Sequence, residues 1–336
     1  MISMDQLKKT MRDNEIIVQI LSEYINLHPR FLTREMVEDL ARDCRVSAEE
    51  AFCTLFAAAC GLDSASDRYH RALERTYFEA GVKKLDPTPY QNDPYVKTVR
   101  FPTQTLGKWE TCEHSYAPYE PFVRNDPILL PSFCEIPQIG YFDEEFSFPA
   151  VLENGIEWMT VTPNEVETMR QPIATCHGRT LTFGLGLGYF AFHASEKENV
   201  ESVTVIEQSA DVIKLFQTHI LPQFPHKEKI RIIQADAFAY LDALADGEFD
   251  VLFADLWHDP SDGLDMYLRI KAHEKRLPNM QFTYWIEPSL LSLLRRMVFR
   301  RMSDTKEPLQ LRGVAPETLL SDAFLRTLDL RKTENG

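Results

Sequence analysis

Three glycines alternate with leucines in the stretch "GLGLG", where Gly184, Gly186 and Gly188 follow one apolar run and precede a second run that is compatible with a helix. Glycine carries an entropic cost, so a cluster between two regular elements indicates close approach of the backbone to another group. A helix that starts just after the loop would point its free amide groups toward that group. The pattern therefore predicts a ligand-binding loop.

Acidic side chains end the three predicted strands that follow this loop. Glu207 ends "VTVIE", 19 residues after Gly188, while Asp236 ends the third strand and Asp255 ends the fourth. In an open parallel sheet, ligands bind at the carboxyl ends of the strands, next to the point where the strand order reverses. A carboxylate at the end of the second strand can accept hydrogen bonds from both hydroxyls of a ribose. The four strand ends together predict a nucleotide-type ligand.

The elements that position these residues begin near residue 162, where apolar strands start to alternate with helices. This alternation predicts a Rossmann-like α/β fold, with a parallel sheet covered on both faces. Thr162, Pro163 and Glu165 predict a helix start, as the cap, the first-turn proline and the N3 acid of a capping box. Strands are predicted at 180–186, 202–208, 229–236, 249–257 and 281–287, and helices from 189, 209 and 237 onward and over 264–276, 289–302 and 303–330.

Two segments of different character precede this part of the chain. Residues 1–90 form a predicted helical region, because apolar residues recur there at helical spacing. Residues 91–160 are rich in proline and aromatic residues and predict a β-rich connector, in which Asn154-Gly155 is typical of a hairpin turn. Residues 161–336 form the predicted catalytic domain.

The charge of the chain argues against a nucleic-acid partner. The net charge is -15, whereas phosphate contacts need clustered lysine and arginine. Residues 40–56 have the spacing of a helix-turn-helix, but Arg45 stands where the turn glycine is usual. The helix predicted from Ser47 begins with Glu49 and Glu50, which would repel phosphates. We therefore expect these helices to form a helical cap or a homodimer interface.

The composition predicts a cytoplasmic globular protein without a metal. Hydrophobic residues make up 44% of the chain and charged residues 26%, as in ordinary globular proteins. No apolar run reaches the roughly 18 residues of a membrane span, and the first residues lack the apolar core of a secretory signal. The six cysteines form no C-x-x-C pair and no zinc-finger spacing, so we expect reduced thiols and no metal site.

The spacing of the glycines distinguishes two nucleotide-binding patterns. Dinucleotide folds carry G-x-G-x-x-G, whereas this chain has G-x-G-x-G followed by Tyr189. With the acids at the strand ends, this is similar to the first motifs of class I S-adenosylmethionine (SAM) dependent methyltransferases. Within that superfamily the chain most resembles the spermidine synthase branch, which also has a β-rich segment before the core. That branch has Asp-x-x-Asp-Pro after the fourth strand. Here the run from Asp255 is "DLWHDP", with one residue more between the two aspartates. The helix before the first strand also lacks the Tyr-His pair that helps to hold the polyamine in that branch.

The resemblance implies SAM as the cofactor and S-adenosylhomocysteine as the product. Glu207 would hold the ribose, and Asp236 with Ala237 the adenine end. The segment after the fourth strand would face the acceptor. Asp255 would contact the ammonium of the methionine moiety or steer an acceptor amine, His258 is a candidate general base, and Asp259 would bind a cationic acceptor. The implied cofactor-binding residues are Phe183, Gly184, Gly186, Gly188, Tyr189, Glu207, Gln208, Asp236, Ala237 and Asp255, and the candidate catalytic residues are Asp255, His258 and Asp259.

Three functions remain open at this point. The first is methyl transfer from SAM to an acceptor that the sequence does not identify. A small molecule is favoured, a protein and RNA stay open, and the net negative charge argues against RNA. The second is transfer of an aminopropyl group from decarboxylated SAM to a polyamine, as the nearest branch implies. The third is a catalytically silent interaction protein with a SAM-type fold, which would bind no cofactor.

Overall fold

A computed structural model describes residues 3–101, 103–106, 108–303 and 314–328. Among these residues, no helix has both the length and the apolar character that crossing a membrane requires. The α-helices are α1 (Met4–Leu27), α2 (Arg34–Cys44), α3 (Ala48–Ala59), α4 (Arg68–Leu73), α5 (Glu79–Gly81), α6 (Thr88–Gln91), α7 (Pro94–Thr98), α8 (Pro163–Thr175), α9 (Tyr189–Glu196), α10 (Ala210–Leu215), α11 (Ala237–Ala243), α12 (Pro260–Lys271), α13 (Glu287–Ser303), α14 (Pro316–Leu319) and α15 (Asp322–Leu325). Two π-helical turns (Glu74–Phe78 and Phe216–Ile220) and two 3₁₀ turns (Leu221–Gln223 and Lys227–Lys229) complete the helical elements of this part of the chain.

The strands form three sheets. The strands are β1 (Val82–Lys84), β2 (Gln104–Leu106), β3 (Trp109–Tyr116), β4 (Phe122–Leu129), β5 (Glu135–Tyr141), β6 (Phe146–Glu153), β7 (Ile156–Thr160), β8 (Gly178–Phe183), β9 (Val200–Glu207), β10 (Ile230–Gln234), β11 (Val251–Ala254) and β12 (Gln281–Tyr284). The sheets have the orders β1-β5-β4, β2-β3-β6-β7 and β10-β9-β8-β11-β12.

Contacts within the chain group it into two compact units. One comprises residues 1–89 and 114–148, and the other comprises residues 90–113 and 149–336. Each unit therefore takes a part of the predicted connector. The division into three consecutive segments, at residues 90 and 160, stays a prediction.

The second unit contains the five-stranded sheet, in which every pair of neighbouring strands is parallel. The first strand of the series, β8, lies between the second strand, β9, and the fourth, β11. Phe183 at the end of β8 is in register with Ile206 on one side and Ala254 on the other. The strand order thus reverses beside β8, which confirms the predicted Rossmann-like α/β class and places the switch point at the glycine loop.

Burial explains why these strands are nearly continuous apolar runs. All four residues of β11 are fully buried, and Thr180, Thr182 and Thr204 are buried on the neighbouring strands. A strand that is covered on both faces shows this pattern, whereas a half-exposed strand alternates apolar and polar residues. The Thr283 hydroxyl donates to the Leu252 carbonyl at 3.0 Å, so it lies in the core without an unpaired donor.

Side-chain caps fix the helix starts that the sequence predicts. Ser47 Oγ accepts from the Glu50 N–H, and the Glu50 carboxylate accepts from the Ser47 N–H, so the capping box of α3 is complete. Thr162 caps α8 by accepting from the Glu165 N–H at 3.4 Å. The reciprocal bond that we predicted from the Glu165 carboxylate is not formed. That side chain instead lines a cavity at the carboxyl edge of the parallel sheet.

Several boundaries differ from the predicted ones. The predicted β-rich connector, residues 91–160, begins with the short helix α7, because Asp93 caps this helix and Pro94 takes its first position. The helix predicted over 264–276 begins earlier, at Pro260. Part of the helix predicted over 303–330, at residues 304–313, 329 and 330, lies outside the described residues. Residues 314–328 hold only α14 and α15.

The predicted hairpin turn is confirmed between β6 and β7. Glu153 pairs with Ile156, leaving Asn154 and Gly155 as a two-residue loop. Both loop residues have positive φ, 52° and 79°, as a type I′ turn requires. The turn sets the register of β7, whose residues 157–160 line the cavity.

The first unit has its own hydrophobic core, built from helices and the sheet β1-β5-β4. Phe52 on α3 is fully buried, and its ring centroid lies 3.9 Å from that of Tyr141 on β5. Phe56 stacks on Phe52, one turn earlier in the helix, and meets Tyr24 edge to face at 5.0 Å. Aromatic pairs of this kind add to the stabilisation from the area that they bury, so α1 and α3 are held to the sheet through these rings.

Lys197 caps the carboxyl end of α8, the helix that precedes the parallel sheet. Its Nζ donates to the carbonyls of Ile173, Ala174 and Cys176, at 2.6 to 2.8 Å, where α8 ends. A cation at this position satisfies carbonyls that have no partner within the helix and opposes the negative end of the helix dipole.

We expect Lys197→Met to lower the free energy of unfolding by roughly 1.5–3 kcal/mol, because charge-assisted hydrogen bonds to half-buried carbonyls are lost. Urea denaturation measures this loss. Lys227→Met is the matched control, since Lys227 is exposed, and it should change stability by less than about 0.5 kcal/mol. Equal losses in both variants would contradict the assigned role.

Candidate functional site

A cavity of about 590 Å³ lies at the carboxyl ends of the parallel strands. This volume is within the range of small-molecule sites. The cavity is lined by the glycine loop, by residues after β9, β10 and β11, by one face of α8 and by β7. Its acidic residues are Glu157, Glu165, Glu207, Asp236 and Asp255, and no lysine or arginine is among the described residues that line it.

The three glycines of the loop have different structural roles. All have positive φ (88° at Gly184, 52° at Gly186 and 78° at Gly188). A Cβ on Gly184 would lie 2.0 Å from the Asp255 carbonyl oxygen, and one on Gly188 would lie 2.3 Å from the Phe216 ring. Gly184 and Gly188 therefore allow close packing. Gly186 lines the cavity, and its Cβ would meet only the Met159 sulfur, at 3.8 Å. Gly186 therefore gives a ligand room to approach the backbone.

Glu207 ties the end of β9 to the glycine loop. Its carboxylate accepts from the Leu185 N–H at 3.3 Å and from the Ser209 N–H at 2.7 Å. Gln208 follows it, and both residues line the cavity. The two backbone bonds hold the carboxylate beside the loop, where the sequence places a ribose-binding acid.

Asp236 and Ala237 border the cavity at the end of β10. One oxygen of Asp236 caps α11 by accepting from the Ala239 N–H at 2.8 Å. The carboxylate is exposed, and its second oxygen accepts no hydrogen bond from a described residue. Phe238 follows, with the Arg269 guanidinium stacked 3.7 Å from its ring centroid, so Phe238 forms a fixed aromatic wall.

Tyr189 lines the cavity, but its hydroxyl is directed elsewhere. It donates to the Asp93 carboxylate at 2.8 Å, and His193 Nε2 lies 3.1 Å from the same group. Burial and the Asp93 charge raise the pKa of Tyr189 well above its usual value. Tyr95, which is fully buried, donates to the Leu187 carbonyl at 2.5 Å. Helix α7 thus holds both the glycine loop and the start of α9.

Asp255 and Glu165 form a carboxyl pair on the cavity wall. Burial, followed by the charges of Asp255 and Glu157, raises the pKa of Glu165 well above its usual value. Burial raises the pKa of Asp255 to about 7. Neither carboxylate accepts a hydrogen bond or pairs with a cation among the described residues. Burial and the neighbouring negative charge thus favour the protonated form of these carboxyls.

Aromatic and thioether side chains make up much of the remaining wall. Three of the four tryptophans of the chain line the cavity, Trp158, Trp257 and Trp285. The Trp285 indole donates to Thr168 Oγ1 at 2.9 Å, which fixes its ring, whereas the buried Trp257 N–H has no partner among the described residues. Met159, Met169 and Met266 also line the cavity. Trp257 belongs to the segment that was predicted to face the acceptor. The other residues of this wall were not predicted, because their face is set only by tertiary packing.

The structure brings most of the predicted site residues together, but four of them lie at the rim or away from the cavity. Gly188 was predicted to bind the cofactor but does not line the cavity, and it packs against the Phe216 ring instead. His258 is at the rim, exposed, with Nδ1 3.2 Å from Asp262. Asp259 does not line the cavity. Its carboxylate caps α12 in a capping box with Asp262. Phe183 is fully buried in the sheet and does not line the cavity either, because strand alternation turns Thr182 toward it instead.

The carboxyl pair predicts an unusual pH dependence of stability. The folded-state pKa of Asp255 is raised, so its ionisation destabilises the fold as the pH rises from about 4 through about 7. We expect Asp255→Asn to be more stable than the wild type by roughly 1–4 kcal/mol at pH 8.5, with the gain disappearing toward pH 4.5. Urea denaturation at both pH values measures the difference. The control Asp265→Asn, at an exposed position, should show no gain at either pH.

No family model matches the chain, and no curated protein matches its sequence. Solved structures are similar in fold. Spermidine synthase from Thermotoga maritima is 14% identical over 46% of this chain and 58% of that chain, with a TM-score of 0.33. A spermidine synthase in complex with the transition-state analogue AdoDATO is 15% identical over 46% and 60%, with a TM-score of 0.35. Precorrin-8w decarboxylase from Methanobacterium thermoautotrophicum is 17% identical over 37% and 63%, with a TM-score of 0.28. The chain thus covers less than two thirds of each of these structures. The likeness concerns the fold alone, and the α/β class rests on the strand order described above.

Proposed function

We propose that this protein is a SAM-dependent methyltransferase that acts on a small molecule. The observation that carries the proposal is the placement of Gly186. Its backbone is open to the cavity at the switch point of the sheet, and Glu207 and Asp236, at the ends of β9 and β10, line the same cavity. Ligands of Rossmann-like sheets bind in this crevice.

The residues present fit the proposed cofactor. Glu207 is held beside the loop with its carboxylate facing the cavity, which suits the two hydroxyls of a ribose. Asp236 has a second oxygen for an adenine amino group, and Phe238 offers the base an apolar wall. The acidic lining suits a cation, and SAM carries a positive sulfonium.

When bound, SAM supplies a methyl group that is already activated for displacement. The protein then has to hold the acceptor in line, exclude water and, where the acceptor must lose a proton, accept that proton. Asp255 and Glu165 are placed for the last task, since both face the cavity and neither is engaged by another described residue.

Thermal unfolding of the purified protein tests the proposal. S-adenosylhomocysteine, at about 100 times its dissociation constant, should stabilise the fold by roughly 2.7 kcal/mol, a shift of several degrees. Decarboxylated SAM is measured beside it. Stabilisation by S-adenosylhomocysteine supports a methyltransferase, while stabilisation by decarboxylated SAM alone would favour aminopropyl transfer. With neither ligand effective, the proposal fails and a cofactor-free interaction protein becomes the better account.

A further inference from the structure

We propose that Tyr95 on α7 is a positioning residue for the cofactor, because its hydroxyl holds the glycine loop in the conformation that admits the ligand. This inference rests on the proposed function and adds to it a residue that does not itself line the cavity. The Tyr95 hydroxyl donates to the Leu187 carbonyl at 2.5 Å, and Leu187 lies between Gly186 and Gly188. A side chain from a distant part of the chain thus acts on the middle of the loop.

The glycine loop needs such a constraint, because its own backbone allows more than one conformation. Glycine tolerates φ of either sign, so the peptide between Leu187 and Gly188 can rotate at little cost in local strain. In the structure its carbonyl accepts from Tyr95, and its N–H donates to the Leu185 carbonyl at 2.9 Å. A rotated peptide would break both hydrogen bonds and would change the wall that Gly186 and Leu187 form in the cavity.

The surroundings of Tyr95 fix the direction of its hydroxyl. The ring is fully buried and meets Tyr189, Phe192 and Phe224 edge to face, with centroids 5.4 to 6.2 Å apart. The hydroxyl therefore does not follow a loop that moves away, and rotation of the peptide would leave a buried donor without its partner, which is costly. Burial, followed by the Asp93 charge, raises the pKa of Tyr95 well above its usual value, so the hydroxyl keeps the proton that it donates.

Both ends of the segment that carries Tyr95 are anchored by other contacts. At one end, Asp93 caps α7 and accepts from the Tyr189 hydroxyl at 2.8 Å. At the other end, the Arg100 N–H donates to the Gln223 side chain at 2.9 Å, and this side chain donates back to the Arg100 carbonyl at 3.0 Å. Removal of the Tyr95 hydroxyl alone should therefore leave the segment in place and affect the loop.

Loss of this hydroxyl should appear as a change in the populations of loop conformations. When a ligand binds only one of two exchanging conformations, its apparent affinity falls in proportion to the population of that conformation. The association rate falls by the same factor, while the dissociation rate stays unchanged. A merely structural role of Tyr95 would lower the stability of the fold and leave both rates as they are.

Binding of S-adenosylhomocysteine to the whole chain tests the proposal, with Tyr95→Phe and Tyr90→Phe as the variants. Tyr90 is the matched control, because it is also buried, its hydroxyl donates to Glu167 at 3.0 Å, and neither residue lines the cavity. Calorimetry measures the affinity, and stopped-flow tryptophan fluorescence measures the two rates. Tyr95→Phe should bind about three- to tenfold more weakly, through a lower association rate. Tyr90→Phe should bind as the wild type does.

Unchanged affinity in Tyr95→Phe would overturn the proposal. An equal loss of affinity in both variants, or a loss that lies in the dissociation rate, would overturn it as well. Failure of the wild type to bind S-adenosylhomocysteine would instead overturn the proposed function.

Nuclear magnetic resonance of the ligand-free protein separates these two failures. The sequence contains only three Leu-Gly peptides, those of Gly107, Gly186 and Gly188. With ¹³C in leucine carbonyls and ¹⁵N in glycine, a carbonyl-selected spectrum therefore shows three amide signals. Tyr95→Phe should broaden or double the signals of Gly186 and Gly188 but not that of Gly107, and S-adenosylhomocysteine should restore single signals. Loop signals that match those of the wild type would show that Tyr95 does not hold the loop, whether or not the ligand binds.

Discussion

Replacing Gly186 by arginine should abolish the stabilisation by S-adenosylhomocysteine while leaving the protein folded. A side chain at this position projects into the cavity, because a Cβ would meet no atom within 4 Å except the Met159 sulfur. The new side chain therefore occupies ligand space without displacing protein atoms. We expect the thermal shift, worth roughly 2.7 kcal/mol in the wild type under the stated conditions, to disappear.

Gly247→Arg is the matched control for this experiment. Gly247 also has a positive φ, 79°, a Cβ at this position would meet no atom within 4 Å, and the residue does not line the cavity. The two variants share the same change of charge and a left-handed backbone position. Gly247→Arg should keep the full ligand response. If Gly186→Arg kept it as well, the ligand would bind elsewhere and the assigned site would be wrong.

Among the described glycines of the second unit, we expect Gly184 to be the one whose replacement by alanine lowers stability most. Its Cβ would lie 2.0 Å from the Asp255 carbonyl oxygen, and a backbone atom cannot swing aside as a side chain can. The positive φ of 88° adds the usual cost of a left-handed residue. We expect a loss of roughly 3–5 kcal/mol in the free energy of unfolding, measured by urea denaturation.

Gly247→Ala separates the two causes of this loss. Gly247 has a similar φ, and a Cβ at this position would meet no atom within 4 Å. The substitution should therefore lower the free energy of unfolding by only about 1–2 kcal/mol. A loss for Gly184→Ala no greater than that of Gly247→Ala would show that the loop can move away from β11. Its close packing would then not be a requirement of the fold.

The sequence predicted the sheet well because each of its signals is local. Continuous apolar runs identify buried strands, and Ser47 or Thr162 identifies a helix start through one side-chain bond. Gly184, Gly186 and Glu207 could be placed because the end of a strand is also the edge of the sheet. The rule of right-handed connections between parallel strands limits the possible topologies, but the strand order itself comes from the structure.

Glu165 and Asp259 show where local signals fail. The pattern Thr-x-x-Glu is the same whether the glutamate reaches back to the cap or turns away, and here it turns toward the cavity. Asp259 was predicted to face an acceptor, but its position before Pro260 makes it a helix cap. An acid near a helix start can either cap the helix or line a cavity. Neighbours from distant parts of the chain decide between these two roles, and the local sequence pattern does not identify them.

The contribution of β7 to the cavity wall was not predicted, for a related reason. Trp158 and Met159 lie in a segment with weak alternation, and a register slip of one residue would exchange the two faces. The Asn154-Gly155 turn was predicted, but the bulge between Val151 and Leu152 shifts the pairing beyond it. The residues that reach the cavity from this hairpin are therefore a result of tertiary structure.

The uniform sign of the charges around the cavity has a consequence for selectivity inside a cell. ATP, NAD and coenzyme A are abundant nucleotides that share an adenosine with SAM, so an adenosine subsite alone would admit them all. Each of them carries phosphates, and a phosphate here would face carboxylates with no arginine or lysine among the described lining residues to neutralise it. Under the proposed function, this repulsion would operate before any specific contact forms, so these nucleotides would be excluded by their charge rather than by their shape.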